Sequence, residues 1–458
     1  MLMAATNSGT LIIALPDLER SLRTSLLTLV WVILAYMIAS TVLVLSAGRL
    51  SDMFGRKKAY VGGFLVFGLA SLGAGFAANG TELILWRVLQ GIGSAFLFAN
   101  SAALVTDAFP PRQLGFAMGA NMMIAAIGLV IGPVLGGALV EISWPWVFWF
   151  NVPFALAGAI WGALILRELA KPDAERGLDL AGTATFVIGL TGLVLGVSRG
   201  GLSGWDDPIV IVGLAVAAVL LPAWVVIERH GRAPMLDLSL FRNRLFAAAS
   251  AATFINGLTR FALMFIFVFY FQGAEGNSPI TAGIKLMPLA LGMLVASPLA
   301  GSYADRHGSR ALAAIGMLVT AIGLALMTTL QVHSSFLWAA TLLALVGIGS
   351  GTFMSPNGAA MMGAVPPERR GIAAGARTVL QNTGAVLSIA FVLAIVTAAI
   401  PRATLFRIFS GLAHGLSDAK LAPFINNMHV ALWALAGAAL VGALVSLMRP
   451  AHTARAEP

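Results

Sequence analysis

Fourteen long apolar runs divide this chain, and they narrow its fold more than any other feature. They cover residues 2–16, 26–47, 59–79, 83–104, 114–139, 146–166, 180–198, 208–227, 246–271, 280–302, 311–331, 336–360, 371–397 and 428–448. A helix crosses the hydrocarbon core of a bilayer in roughly 20 residues, and most of these runs have that length. They lack the residue-by-residue alternation of a barrel strand, so their backbone groups must be satisfied within helices. Composition agrees. Hydrophobic residues make up 59% of 458 and charged residues 10%, and mean hydropathy is +0.91, outside the range of soluble domains. The expected fold class is an all-α membrane protein.

The polar segments between the runs orient them. With both termini on the cytoplasmic side, the inner segments hold eighteen Lys and Arg residues and the outer segments six: Arg20, Arg23, Arg199, Arg402, Arg407 and Lys420. That bias is the positive-inside pattern of a multi-pass protein of the cytoplasmic membrane. It also accounts for the net charge of +9, because the basic residues form no aromatic-interleaved stripe of the kind that binds nucleic acid. There is no cysteine, and the six histidines stand singly in or beside loops without metal-ligand spacing. Neither a metal nor another cofactor is expected. The first run, ending at Pro16, is short, and without a charged n-region it does not read as a cleaved signal peptide.

Two loops repeat one another. Gly48-Arg49-Leu50-Ser51-Asp52-Met53-Phe54-Gly55-Arg56-Lys57-Lys58 is matched, 253 residues on, by Gly301-Ser302-Tyr303-Ala304-Asp305-Arg306-His307-Gly308-Ser309-Arg310. A second match, Pro110-Pro111-x3-Gly115-x3-Gly119, recurs at Pro366-Pro367-x3-Gly371-x3-Gly375. Duplicated helical halves are the architecture of transporters. The expected organisation is a six-helix bundle over 1–166, a linker carrying two extra spans over 167–245, and a second six-helix bundle with a short tail over 246–458.

In the repeated loops, Gly48, Gly55, Gly301 and Gly308 allow close turns, while Asp52 and Asp305 can face the positive end of a neighbouring helix. Arg56 can pair with an acid or a lipid phosphate. Two readings fit: a latch that holds one access state, or an anchor with a tight turn. Arg87-x2-Gln90-Gly91-x-Gly93 lies inside the fourth run. An arginine there costs about 2.5–3.5 kcal/mol on insertion scales, so it is expected to face protein or water as a charge relay, unless it snorkels outward past Glu82. In the fifth run, Gly128, Gly132 and Gly136 line one helix face with Gly137 beside them, and Pro133 removes a backbone donor and bends the helix. That combination reads either as a kinked element that moves or as a plain packing face.

These stretches resemble the major facilitator superfamily, and in particular its fourteen-span drug:proton antiporter branch of multidrug and antibiotic exporters. Gly48–Lys58 is similar to the loop signature after the second helix, Arg87–Gly91 to the fourth-helix arginine motif, and Gly128–Gly137 to the fifth-helix antiporter motif. Trp146–Pro153 and Leu236–Arg244 resemble further stretches of that branch. The resemblance implies two six-helix bundles, alternating access, export of amphipathic small molecules, and coupling to protons. It departs at one place. Members commonly carry an acid nine residues before the proline of Ala-Leu-Pro in the first helix; here Ala14-Leu15-Pro16 is present and the aligned residue is Asn7, which cannot titrate.

The spans are short of acids and carry Arg87, Arg260, Lys285 and Arg377. Lys285 and Arg377 lie near span ends and can snorkel. Arg260 is mid-helix, beside Asn256, Met264 and Phe265. With Asn7, Gln90, Asn121, Gln381 and Asn382, these residues are the candidate wall of a substrate cavity suited to anionic or neutral amphipaths. An ATP-driven pump would need a Walker loop, and no Gly-Lys dipeptide occurs. An enzyme would need a constellation of acids, histidines or a nucleophile, and no such cluster is present. The expected protein is a secondary transporter, monomeric among membrane lipids, with protons and a small amphipathic molecule as partners. A facilitator or symporter of a small organic anion is the alternative.

Overall fold

Every element of the computed structural model is helical among the residues it describes, which are 2–108, 128, 131–166, 168, 179–231, 236–366, 370–398, 400, 402–409 and 417–449. Eleven of these helices are long and apolar enough to cross a membrane. The first six helices are α1 Leu2–Leu22, α2 Leu26–Phe54, α3 Arg56–Ala74, α4 Gly80–Ala108, α5 Ile131–Ile142 and α6 Trp146–Ile165. Two more, α7 Leu180–Ser203 and α8 Pro208–His230, form the hairpin expected in the middle of the chain. The remainder are α9 Arg244–Val268, α10 Pro279–His307, α11 Ser309–Met327, α12 Phe336–Gly363, α13 Arg370–Val396 and α14 Asp418–Leu447. A short helix, Arg402–Phe409, precedes α14 and was not expected.

The first helix corrects the sequence expectation. It runs past Pro16 to Leu22, because a proline inside a membrane helix costs one hydrogen bond that packed neighbours can replace. At its far end α9 turns into a π-helical segment, Phe269–Ala274. Wider turns of this kind shift the register of side chains, and here Gln272 is brought inward to donate to the Ile13 carbonyl at 3.0 Å.

Packing divides the described chain into two compact units. The first holds Met1–Leu236 with Phe265–Met287 and Thr397–Phe424; the second holds Asp237–Met264, Pro288–Val396 and Ile425–Pro458. In the first, α2, α3 and α4 cross at glycines. A Cβ on Gly93 would lie 2.6 Å from the Phe67 nitrogen and 2.9 Å from the Gly63 carbonyl oxygen, and one on Gly91 would lie 2.8 Å from the Tyr36 carbonyl oxygen. In the second, α10, α11 and α12 cross the same way. There Gly349 meets the Thr320 nitrogen and Gly316 carbonyl, and Gly347 meets the Leu289 carbonyl. Tyr36, Gly63 and Phe67 precede Leu289, Gly316 and Thr320 by 253 residues each, the offset of the repeated loops. The duplication therefore extends from loop sequence to backbone crossings.

The α7–α8 hairpin is held at its turn by Asp207. Its carboxylate accepts from the Ile209 backbone N–H at 2.8 Å and from Arg199 Nε at 2.9 Å, which keeps it below its ordinary pKa, the backbone bond being the larger cause.

Candidate functional site: a buried arginine and the helix that touches it

Arg87 of α4 is fully buried, with 0% of its surface exposed, so the outward snorkel past Glu82 does not occur. The close approach of α4 to α2 at Gly91 lets its Nε donate to the Val32 carbonyl at 3.0 Å. Its Nη1 donates to Asn7 Oδ1 of α1 at 3.4 Å and to Gln90 Oε1 one turn on. Gln90 in turn donates to Ser71 of α3 at 2.7 Å. The guanidinium lies 4.2 Å over the Tyr36 ring, whose hydroxyl meets Ser94 at 2.8 Å. Four helices thus converge on one cation. No carboxylate among the described residues pairs with it, and Arg87 Nη2 and Asn7 Nδ2 have no hydrogen-bond partner. A cation held this way is costly in a low-dielectric interior.

The glycine–proline helix acts on the same α1. A Cβ on Gly132 would lie 3.1 Å from the Thr6 carbonyl oxygen, and one on Gly136 2.6 Å from Thr10 Cα. The Pro133 ring faces Gly9 at 3.1 Å by the same measure. Asn7 therefore sits on the turn of α1 that α5 grips. On its other side α5 meets α10: Gly137 abuts Ile280 and the Pro133 carbonyl abuts Gly283. Gly128 is helical and buried. Side chains larger than hydrogen would separate these backbones, which is why the motif needs glycine on both faces.

At the first repeated loop, Gly55 has φ +105° and Gly308 of the second has φ +88°, a region that L side chains rarely adopt. Arg56 Nε donates to Asp52 Oδ1 at 3.0 Å. The start of α3 is capped by a residue that sequence reasoning missed: Glu168 accepts from the backbone N–H groups of Arg56 and Lys57 at 2.9 and 3.0 Å. A carboxylate on a helix N-terminus is stabilised by the unpaired N–H groups and by the dipole. Gly55 leaves it room, since a Cβ there would lie 3.0 Å from the Glu168 carboxyl carbon. In the second loop Gly301 faces Ser355 Oγ at 2.6 Å from a would-be Cβ. The Asp305 side chain and Asn121 lie outside the described residues.

The remaining cavity candidates fall into two groups. Met264 and Phe265 are buried in packing, and Asn256 is buried with its amide toward Met317 Sδ at 3.8 Å. Arg260, Gln381 and Asn382 are half-exposed. Lys285 does not snorkel; it pairs with Glu275. Two buried charges were missed. Glu19, at 2% exposure, has Oε2 without a hydrogen-bond partner. Arg449, counted among the inner basic residues, is 1% exposed and donates to Asn357 and Ser446; burial pulls it down to about 10.

Eleven apolar helices of membrane-crossing length, glycine-mediated crossings repeated in both units and a buried arginine inside the first define a membrane transporter rather than an enzyme. The chain belongs to the Major Facilitator Superfamily, whose family pattern it matches over residues 1–248 and 249–457. It is 33% identical over 396 residues to the multidrug resistance protein Stp of Mycobacterium tuberculosis (strain CDC 1551 / Oshkosh), covering 86% of this chain and 73% of that protein. It is also 33% identical over 398 residues to the puromycin resistance protein pur8 of Streptomyces alboniger, covering 85% and 79%. In fold it is similar to an auto-inhibited POT family peptide transporter, with a TM-score of 0.66 at 16% identity over 100% of this chain and 97% of that one. A bacterial homologue of the human lysosomal transporter Spinster, in an inward-facing and unoccupied conformation, gives 0.62 at 15% identity over 98% and 94%.

Proposed function

We propose that this protein exports amphipathic small molecules, drugs or antibiotics among them, across the cytoplasmic membrane by alternating access coupled to proton entry. The observation that carries the reading is the grip of α5 on α1 beside Arg87. A helix in backbone contact with α1 on one face and with α10 on the other transmits any rocking of its neighbours to the turn bearing Asn7. The resistance proteins among its relatives support export. Both termini lie in the cytoplasm on this reading, and six-helix halves over 1–166 and 246–458 flank the 167–245 insertion. The Asp52 and Asp305 loops latch one access state, Arg87 relays charge, and the protein works as a monomer among lipids.

Proton coupling needs a titratable group, and Asn7 is none. On this account Glu19 takes the proton, being a buried carboxylate on α1 with an oxygen left unbonded. The alternative, a facilitator or symporter of a small organic anion, is favoured by Asn7 standing in place of an acid. Expression in a host stripped of its own drug exporters tests the proposal. Accumulation of at least one class of anionic, neutral or cationic amphipath is expected to fall, and a protonophore to restore it. Unchanged accumulation of all three classes contradicts export.

A further inference from the structure

Every charge that the second unit carries inside its membrane spans has the same sign. Its acids are Asp237, Asp305, Glu368 and Glu457, and none falls within an expected span. The span charges of that unit are Arg260 of α9 and Arg377 of α13. Neither makes a hydrogen bond or ion pair to another described residue; the Arg260 guanidinium rests 4.6 Å over the Phe261 ring, and its buried Nε is unbonded.

The two arginines border one helix crossing. Gly257 of α9 packs against the backbone of Gln381 of α13, and Gly384 packs against Phe254, with the Leu258 nitrogen 3.0 Å from where its Cβ would be. Arg260 lies one turn beyond Gly257 on the same face of α9. Arg377 lies one turn before Gln381 on the same face of α13, and the charges of the two arginines repel. The Arg377 guanidinium occupies space left open by Gly358 of α12, 3.3 Å from where its Cβ would be. Around the crossing, the Gln381 and Asn382 side chains are half-buried, and neither makes a hydrogen bond to another described residue. Four polar side chains left unbonded inside a membrane protein would be costly against lipid, and they are tolerated where they line a wet cavity.

We infer that this face of the second unit, Arg260 and Arg377 with the amides of Gln381 and Asn382, binds the anionic group of an amphipathic substrate. Planar guanidinium groups match a carboxylate or sulfonate in geometry and charge. The half-exposed Phe261 ring offers the apolar part a surface beside the charge. The inference rests on the transporter reading, and it adds the charge of the substrate to it.

Calorimetric titration of the full-length protein in a neutral maltoside detergent tests it without any gradient, so a failure of proton-driven export would leave the result untouched. The probes are 1-naphthoate, methyl 1-naphthoate and 1-naphthylmethylammonium, with inorganic sulfate as a charge lacking an apolar body. We expect naphthoate to bind at least about tenfold more tightly than each of the other three, and R260Q/R377Q to lose most of that advantage. Should that variant fail to fold, the four-probe comparison on the unaltered protein decides alone. Equal binding of ester, ammonium and naphthoate, or no naphthoate binding, overturns the inference. Sulfate binding as tight as naphthoate would overturn the amphipathic assignment, and a folded R260Q/R377Q that binds naphthoate normally would overturn the site.

Discussion

Arg87 Nη1 donates to Asn7 Oδ1 at 3.4 Å, so the buried cation of α4 rests on a neutral amide of α1 rather than on a carboxylate. The contact is long for a hydrogen bond, and Arg87 Nη2 and Asn7 Nδ2 have no partner among the described residues. Replacing Asn7 by aspartate would supply the missing acceptor. Asn7→Asp is expected to raise the melting temperature of the purified protein by at least about 2 °C, and to make transport steeper in external pH. A lower melting temperature would show that desolvating the new carboxylate outweighs its pairing with Arg87.

The α5 contacts give a sharper test of coupling between helices. Gly136→Ala places a methyl 2.6 Å from Thr10 Cα, and Gly137→Ala one against the backbone of Ile280, where neither neighbour can turn aside. Each is expected to cut transport at least about tenfold by separating backbones that the motif brings together. Gly437→Ala, on α14 with nothing within 4 Å, is the matched control and should retain transport.

The two repeated loops differ in composition. The first carries Arg56, Lys57 and Lys58, while His307 and Ser309 break the basic run of the second. Asp52→Asn is expected to abolish transport and Asp305→Asn only to slow it, measured as initial rates at matched membrane abundance. Glu168→Gln keeps an acceptor for the Arg56 and Lys57 N–H groups but removes the charge facing the α3 dipole. Transport should fall by a factor of about two to five, on the scale of a helix-terminus charge.

Glu19→Gln keeps the shape of a buried side chain and removes its proton. The expected result is exchange of labelled substrate across the membrane at a normal rate, with loss of accumulation driven by a pH gradient. Gradient-driven accumulation at the wild-type level would remove Glu19 from the proton path.

Much of this arrangement was legible in the sequence because membrane helices leave long apolar runs and because the halves are duplicated at a fixed offset. Gly55 and Gly308 hold the same rare backbone conformation, as their place in matched loops implied. Burial of Arg87 could be expected from the cost of a charge in a span. What the sequence could not show is which residues distant in the chain meet. Glu168 caps α3 across 112 residues. Glu19 and Arg449 stand at helix ends, where sequence alone suggests water, and are buried by neighbours folded over them. The π-helical turn at Phe269–Ala274 was not legible either, since an apolar run of this kind reads as ordinary α-helix.

The central claim is outward transport driven by protons. Inside-out vesicles with an acidified lumen measure it directly, using the substrate class whose cellular accumulation the protein lowers. The account predicts that the substrate concentrates in the lumen above its external level and leaks back when nigericin collapses the pH gradient. Equilibration to the external level at the same rate with and without the gradient would contradict it.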